Sequence, residues 1–167
     1  MKFFSVWLIP SEETYKLFSQ KILDVCKNKK HPYFEPHCTL FCGKTNHNKL
    51  EIIRLFKKNA LNSKVIATKT SQIQWGYDFY KSFFIELENN TSLAGMSKMF
   101  TELDEESSYK FIPHLSLSYG THLEKENIDI LVPKIIHFNQ LKLVTDSPEK
   151  SFSAIRSWRT LDTIELF

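Results

Sequence analysis

At 167 residues, with 42% hydrophobic residues and 14 phenylalanines, the chain is long and apolar enough to bury roughly two thirds of its unfolded surface in one domain. Only 4 glycines and 6 prolines argue against disorder or low complexity. The net charge of +3 suits a cleft that attracts phosphates but falls short of the basic stripe that duplex nucleic acid requires.

Lys2 followed by Phe3 to Ile9 reads as a buried-type strand. It is too short for a signal peptide, holds Trp7 and Pro10, and is followed by no small-residue cleavage site. No run reaches the eighteen or so apolar residues of a membrane span, so the expectation is a soluble, cytoplasmic protein. Ser11 is placed as the cap of a first helix, with Glu12 and Glu13 in its first turn and Tyr15, Phe18, Ile22, Val25 and Cys26 on one face. That helix fades in the basic run Lys27 to Lys30, and a loop from His31 leads to a strand over Cys38 to Cys42. A second helix after Asn48 is predicted to bury Leu50, Ile53, Phe56 and Ala60. Two strands, Lys64 to Trp75 and Lys81 to Glu88, are joined by Gly76-Tyr77-Asp78-Phe79-Tyr80. A third helix from Ser92 to about Leu103 carries Leu93, Met96, Phe100 and Leu103 at helical spacing. After a strand near residues 114–118 come a short helix at Glu124 to Leu131, a strand from Ile136 to Val144, a turn at Asp146-Ser147-Pro148 and a last strand from Ile155 to Glu165. The order is α+β with a duplicated half.

The duplication is explicit in Phe34-Glu35-Pro36-His37-Cys38-Thr39-Leu40, which returns as Phe111-Ile112-Pro113-His114-Leu115-Ser116-Leu117. Phe, Pro, His, a hydroxyl and Leu recur in register, a pattern whose chance odds are on the order of one in ten thousand for a single match. In an extended chain His37 and Thr39 share a face, as do His114 and Ser116. Two imidazole and hydroxyl pairs facing each other suit a phosphodiester. One imidazole takes a proton from water, the other gives one to the leaving oxygen, and the hydroxyls bond the non-bridging oxygens. No metal or other cofactor is required. His31, His47, His122 and His137 lack both ligand spacing and a matching hydroxyl, and read as loop or surface residues, as Lys44 and Lys81 read as solvated. Cys26, Cys38 and Cys42 form an odd set without C-x-x-C, which argues against a disulfide framework or a four-cysteine zinc site. Cys38 and Cys42 are placed with Leu40, opposite His37 and Thr39, as buried thiols against a covering helix.

The paired H-x-[ST]-L motifs resemble those of the two-histidine (2H) phosphoesterase superfamily, and their flanks are most similar to plant and yeast cyclic phosphodiesterases. Phe4 to Pro10 is similar to that family's opening strand, Phe34 to Leu40 and Phe111 to Tyr119 to its two motifs. Val144-Thr145-Asp146 with Ser157-Trp158-Arg159-Thr160 resembles its closing hairpin. The resemblance implies a bilobal fold, two pseudo-symmetric antiparallel sheets with outer helices around a central cleft. It implies His37 and His114 as catalytic residues and Thr39 and Ser116 as phosphate ligands. The implied reaction opens ribose cyclic phosphates, either nucleoside 2',3'-cyclic phosphates or ADP-ribose 1'',2''-cyclic phosphate, in a monomer that could also take short RNA ends. His114 is assigned as base and His37 as acid, with the near-symmetry leaving the reverse open. Other branches of the superfamily cleave 2'-5' or 3'-5' linked oligonucleotides or cyclic signalling nucleotides, and an inactive nucleotide-binding module is a third reading. Plant relatives use disulfides, so a bridge between the motif strand and Cys26 is open.

Four aromatics are candidates for base stacking. Tyr77, Phe79 and Tyr80 sit in a predicted loop and either stack on a nucleobase or plug one lobe; Trp75 and Phe83, within strands, read as core. Strict alternation from Ser116 turns Tyr119 away from the cleft, whereas the resemblance places a tyrosine there on a strand free to bend.

Overall fold

The computed structural model describes residues 2–104, 106–120 and 131–167. The predicted α+β order holds, with β1 at Lys2–Pro10, α1 at Glu12–Lys29, β2 at Cys38–Thr45, α2 at Lys49–Ala60, β3 at Ile66–Asp78 and β4 at Lys81–Leu87. Then come α3 at Thr91–Met99, a 3-10 turn at Thr101–Leu103, β5 at His114–Ser118, β6 at Ile135–Asp146, α4 at Phe152–Ser157 and β7 at Arg159–Glu165. The helix expected at Glu124 to Leu131, and His122, fall on or beside 121–130, outside the described residues.

All recorded strand pairings are antiparallel, in the order β2-β1-β6-β3-β4-β5, with β7 also on β6. Residues Ile66 to Lys69 of β3 pair with β6, and from Thr70 onward the strand pairs with β4. β7 takes the stretch of β6 from Gln140 to Thr145 that β3 leaves. The two sheets are thus wings joined through β3. Helices pack on both wings: α1 on β5 and β1, α2 on β7 and β6, and α3 on β2 and β3. At the β3–β4 turn a Cβ on Gly76 would lie 2.2 Å from the Lys81 carbonyl, so the bulge there needs glycine.

Local sequence explains most element ends. Asn48 caps α2 through a reciprocal capping box with Glu51, and Lys30 closes α1 in the left-handed conformation at φ 56°. Ser11 does occupy the N-cap of α1, but its hydroxyl makes no capping bond. In α1, Phe18, Ile22, Val25 and Cys26 are buried as expected, each large apolar side chain contributing about 1.5–3 kcal/mol. Two expectations are corrected. Leu50 is 77% exposed because Ile52, Phe56 and Ala60, four residues apart, form the buried stripe, with Ile53 only half-buried. The last strand does not begin at Ile155. Ser151 caps a short helix by accepting from the Ala154 N–H, and Ala154 and Ile155 bury themselves from that helix.

Among the described residues, one side of β2 has no strand beside it. Its polar backbone is satisfied instead by side chains: Ser97 Oγ donates to the Leu40 carbonyl at 2.7 Å, Ser107 Oγ to Cys42 at 2.7 Å, and the Tyr109 hydroxyl to Thr39 at 2.8 Å, while the Lys44 N–H donates to Asp104 at 2.8 Å.

Candidate active site

Both motif strands break register at the same point. In the β1–β2 ladder Val6 faces Phe41 and Trp7 faces Thr39; in β4–β5 Phe83 faces Ser118 and Phe84 faces Ser116. Leu40 and Leu117 are therefore the extra residues of two equivalent bulges, which reverse the alternation of side chains beyond them. Residues five past each histidine return to the face of the hydroxyl. Cys42 consequently lines the cleft rather than packing with Leu40, a correction, while Cys38 is buried as expected. Tyr119 lines the cleft by the same mechanism, against strict alternation.

His37 and His114 line one cavity of about 630 Å³. His37 Nδ1–H donates to the Glu35 carbonyl at 2.6 Å, and His114 Nδ1–H donates to the Ile112 carbonyl at 2.7 Å. A carbonyl only accepts, so Nδ1 holds the proton and each neutral imidazole carries its lone pair on Nε2. His37 is 5% exposed and stacks on Trp7 with ring centres 3.8 Å apart at 10°. Burial pushes its pKa down to about 3, helped by the charges of His114 and Lys142. His114 is less enclosed, with Phe84 edge-on at 5.5 Å, and burial followed by Lys81 lowers its pKa as well.

The two hydroxyls differ. Thr39 lines the cavity half-buried, and its hydroxyl makes no hydrogen bond among the described residues. Ser116 is buried and donates to the Tyr80 carbonyl at 2.9 Å. Tyr119 stacks on Phe34 at 3.9 Å, and its phenol donates towards His37 Nε2 at 3.4 Å. Desolvation raises its pKa well above the ordinary value, so the phenol keeps its proton.

Of the stacking candidates, Tyr80 and Tyr119 reach the cavity and the other two do not. Tyr77 is fully exposed at the hairpin. Phe79 is 9% exposed and packs against Phe152, which makes it a plug. Tyr80 lies edge-on to Tyr119 at 5.4 Å and near-parallel to Trp158 at 6.1 Å. Phe83 is buried in the core as expected, and Trp75, half-buried, stacks on it at 4.1 Å from the core's edge.

Sequence reasoning passed over much of the cavity wall, Trp7, Asp146 and Trp158 included. Trp7 sits in a largely apolar strand, where Ser5, two residues earlier and also lining the cavity, is the polar signal of its cleft face. Asp146 Oδ1 accepts from Trp158 Nε1 at 3.0 Å and from the Ser147 N–H at 2.7 Å, and its other oxygen accepts from Ser5. The hairpin resemblance named Asp146 and Trp158, but nothing in their spacing brought them to the histidines. Lys44, Lys81, Lys110 and Lys150 line the mouth; Lys150 pairs with Asp78 at 2.5 Å, and Lys81 lies over Phe84. Among the other histidines, His31 is half-buried beside Phe152, His47 pairs with Glu51 at 3.7 Å, and His137 is exposed.

All three cysteines are free thiols; burial pushes Cys26 up to about 11 and Cys38 and Cys42 up to about 12. No group of His, Cys, Asp or Glu among the described residues could hold a metal ion. No described helix is long and apolar enough to cross a membrane.

The fold is shared with solved structures. Over 99% of this chain and 98% of the other, it is similar to TT0787 of Thermus thermophilus, with a TM-score of 0.68 and 14% identity. The apo form of E. coli LigT matches over 99% of this chain and 97% of its own at a TM-score of 0.64 and 13% identity, and LigT complexed with 3'-AMP over the same shares at 0.63 and 12%. No curated protein matches the chain in sequence. The family model described as cyclic phosphodiesterase-like protein matches residues 1–165, so nearly the whole chain, both histidine strands and the closing hairpin included, falls within it. The chain belongs to the cyclic phosphodiesterase-like family, within the 2H phosphoesterase superfamily.

Proposed function

We propose that this protein is a metal-independent cyclic phosphodiesterase that opens ribose cyclic phosphates, with nucleoside 2',3'-cyclic phosphates and ADP-ribose 1'',2''-cyclic phosphate as the substrate class. The observation that carries the reading is the pair of Nε2 lone pairs on His37 and His114 lining one cavity, each fixed by an Nδ1–H bond to the carbonyl two residues before it. Nucleotide binding by the cavity accords with the E. coli LigT structures, whose complexes contain 3'-AMP and ATP.

The asymmetry of burial favours the reverse of the sequence assignment. His37, enclosed and stacked on Trp7, stays neutral and serves as the base that takes a proton from water at Nε2 once the Tyr119 hydroxyl, which donates to that nitrogen at 3.4 Å, turns aside. His114 is more open, and a bound phosphate anion beside it favours its imidazolium, which gives its proton to the leaving ribose oxygen. Thr39 donates to a non-bridging oxygen. Ser116 reaches a second oxygen after its hydroxyl rotates from the Tyr80 carbonyl. The cyclic ester already holds phosphorus and leaving oxygen together, so positioning water in line and moving two protons completes the reaction.

The test is turnover of 2',3'-cyclic mononucleotides, ADP-ribose cyclic phosphate and 2'-5' linked dinucleotides in the presence of EDTA. Cyclic substrates should open to monophosphates. Turnover of the linear dinucleotides alone would replace this reading with an oligonucleotide phosphodiesterase, binding without turnover would leave a nucleotide-binding module, and loss of activity to the chelator would remove the metal-independent mechanism.

A further inference from the structure

The two motifs differ in how the segment before the histidine is held. In the second, the Leu87 N–H donates to the Pro113 carbonyl at 3.1 Å, carrying the β4–β5 ladder past His114. Extending the β1–β2 register from Leu8 and Cys38 by two places puts Pro10 opposite Pro36. Proline has no N–H, so the corresponding ladder bond cannot form. His37 is therefore preceded by a segment without that backbone tie.

Side chains supply one instead. Glu35 accepts from Lys142 Nζ, in an ion pair whose side chains keep only 17% and 21% exposure, and from the Tyr15 hydroxyl of α1 at 3.1 Å. Lys142 of β6 stands directly opposite Trp7 of β1, so both side chains lie on one face of the sheet. The Trp7 ring carries the His37 imidazole, and the neighbouring ammonium carries Glu35, whose own carbonyl accepts from His37 Nδ1–H. At the position matching Glu35 the second motif has Ile112, 54% exposed and incapable of an ion pair.

We propose that Glu35 and Lys142 are positioning residues for His37: their ion pair replaces the ladder bond that Pro10 forbids, holds the Glu35 carbonyl against Nδ1–H, and so fixes which ring nitrogen faces the cleft. The proposal rests on the functional reading only for its kinetic consequence, because the tautomer is a property of the free protein. Charged and titratable groups facing His37 are His114, Tyr119 and Lys142, so a change at Lys142 also alters the field at the ring.

The test is the imidazole ¹⁵N spectrum of the full chain, with ring shifts assigned by His37→Gln and His114→Gln controls. Wild type should show a single Nδ1–H form of His37 at neutral pH. Glu35→Gln and Lys142→Gln should mix the two tautomers at His37, leave His114 unchanged, and lower kcat for a 2',3'-cyclic mononucleotide about tenfold with KM within twofold. Lys142→Arg, which keeps the ion pair, should keep the single form. If a glutamine variant does not fold, Tyr15→Phe removes the third member of the network and should mix the tautomers to a lesser extent. A single Nδ1–H form retained in the folded glutamine variants would overturn the proposal and leave the pair a structural contact. Tautomer mixing in a protein that turns over no cyclic phosphate would support the positioning role while removing the functional reading.

Discussion

The strand bearing His37 and the strand bearing His114 have the same backbone device and unlike surroundings. Each has its bulge three residues past the histidine, its Nδ1–H bonded two residues back, and an aromatic from the neighbouring strand beside the ring. Yet Trp7 lies flat on His37 where Phe84 meets His114 by its edge, and Thr39 is open to the cavity where Ser116 is committed to a carbonyl. Repetition sets the geometry of the donors and acceptors, and the packing around each copy decides which proton state it holds.

The widest break in this comparison would come from removing each ring. His37→Ala and His114→Ala should each lower kcat about 10²–10⁴-fold on a cyclic mononucleotide. The pH dependence of the two single variants should differ, His114→Ala losing the limb that requires an imidazolium. Indistinguishable pH–rate profiles would make the two copies functionally equal. Next in size, Thr39→Val and Ser116→Ala should each cost about 2–4 kcal/mol of transition-state stabilisation, measured as kcat/KM. Only Ser116→Ala should also lower folding stability, by about 1 kcal/mol in urea unfolding, since it alone leaves the Tyr80 carbonyl without its donor.

Acid titration sharpens the contrast further. The unfolded chain protonates its histidines below about pH 6.5, while folded His37 resists the proton until about pH 3. Stability should therefore fall as pH drops through that window, with a slope approaching one proton, ~1.4 kcal/mol per pH unit. Comparing unfolding curves of wild type and His37→Gln between pH 4 and 7, on the order of three units that span most of the window, should show that slope flattened by the substitution. The smallest effect is expected outside the cleft: Tyr77→Ala should leave stability within about 0.5 kcal/mol and kcat/KM unchanged. Tyr80→Phe, within the cavity, should raise KM severalfold through loss of its bond to the Glu149 carbonyl.

The sequence made the elements legible wherever one signal governed. Asn48 with Glu51 marked the start of α2, and the spacing of Leu93, Met96, Phe100 and Leu103 marked a buried stripe that continues from α3 into the 3-10 turn. That His37, Thr39 and His114 share one cavity was legible because the motif occurs twice, whereas Ser116 lies buried against the Tyr80 carbonyl and outside the cavity lining. The bulges were not, since Leu40 and Leu117 are apolar residues in apolar strands and parity alone cannot show where a ladder slips. Cys42 and Tyr119 were consequently hard to orient. Leu50 misled because it and Ile52 fit adjoining helical stripes, and only the packing of β6 and β7 beneath α2 chooses between them. The contact of Glu35 with Lys142 joins distant segments, and composition carries no trace of such a pairing.

The side chains that sheathe β2 have a bearing on both its outer edge and the cavity. An outer strand with vacant donors and acceptors invites a second polypeptide to add itself, and here Ser97, Asp104, Ser107 and Tyr109 occupy four of those positions. Asp104, Ser107 and Tyr109 also form one bank of the cavity. A change at Asp104, Ser107 or Tyr109 therefore acts twice, leaving a backbone group of β2 without its partner and reshaping the cavity wall.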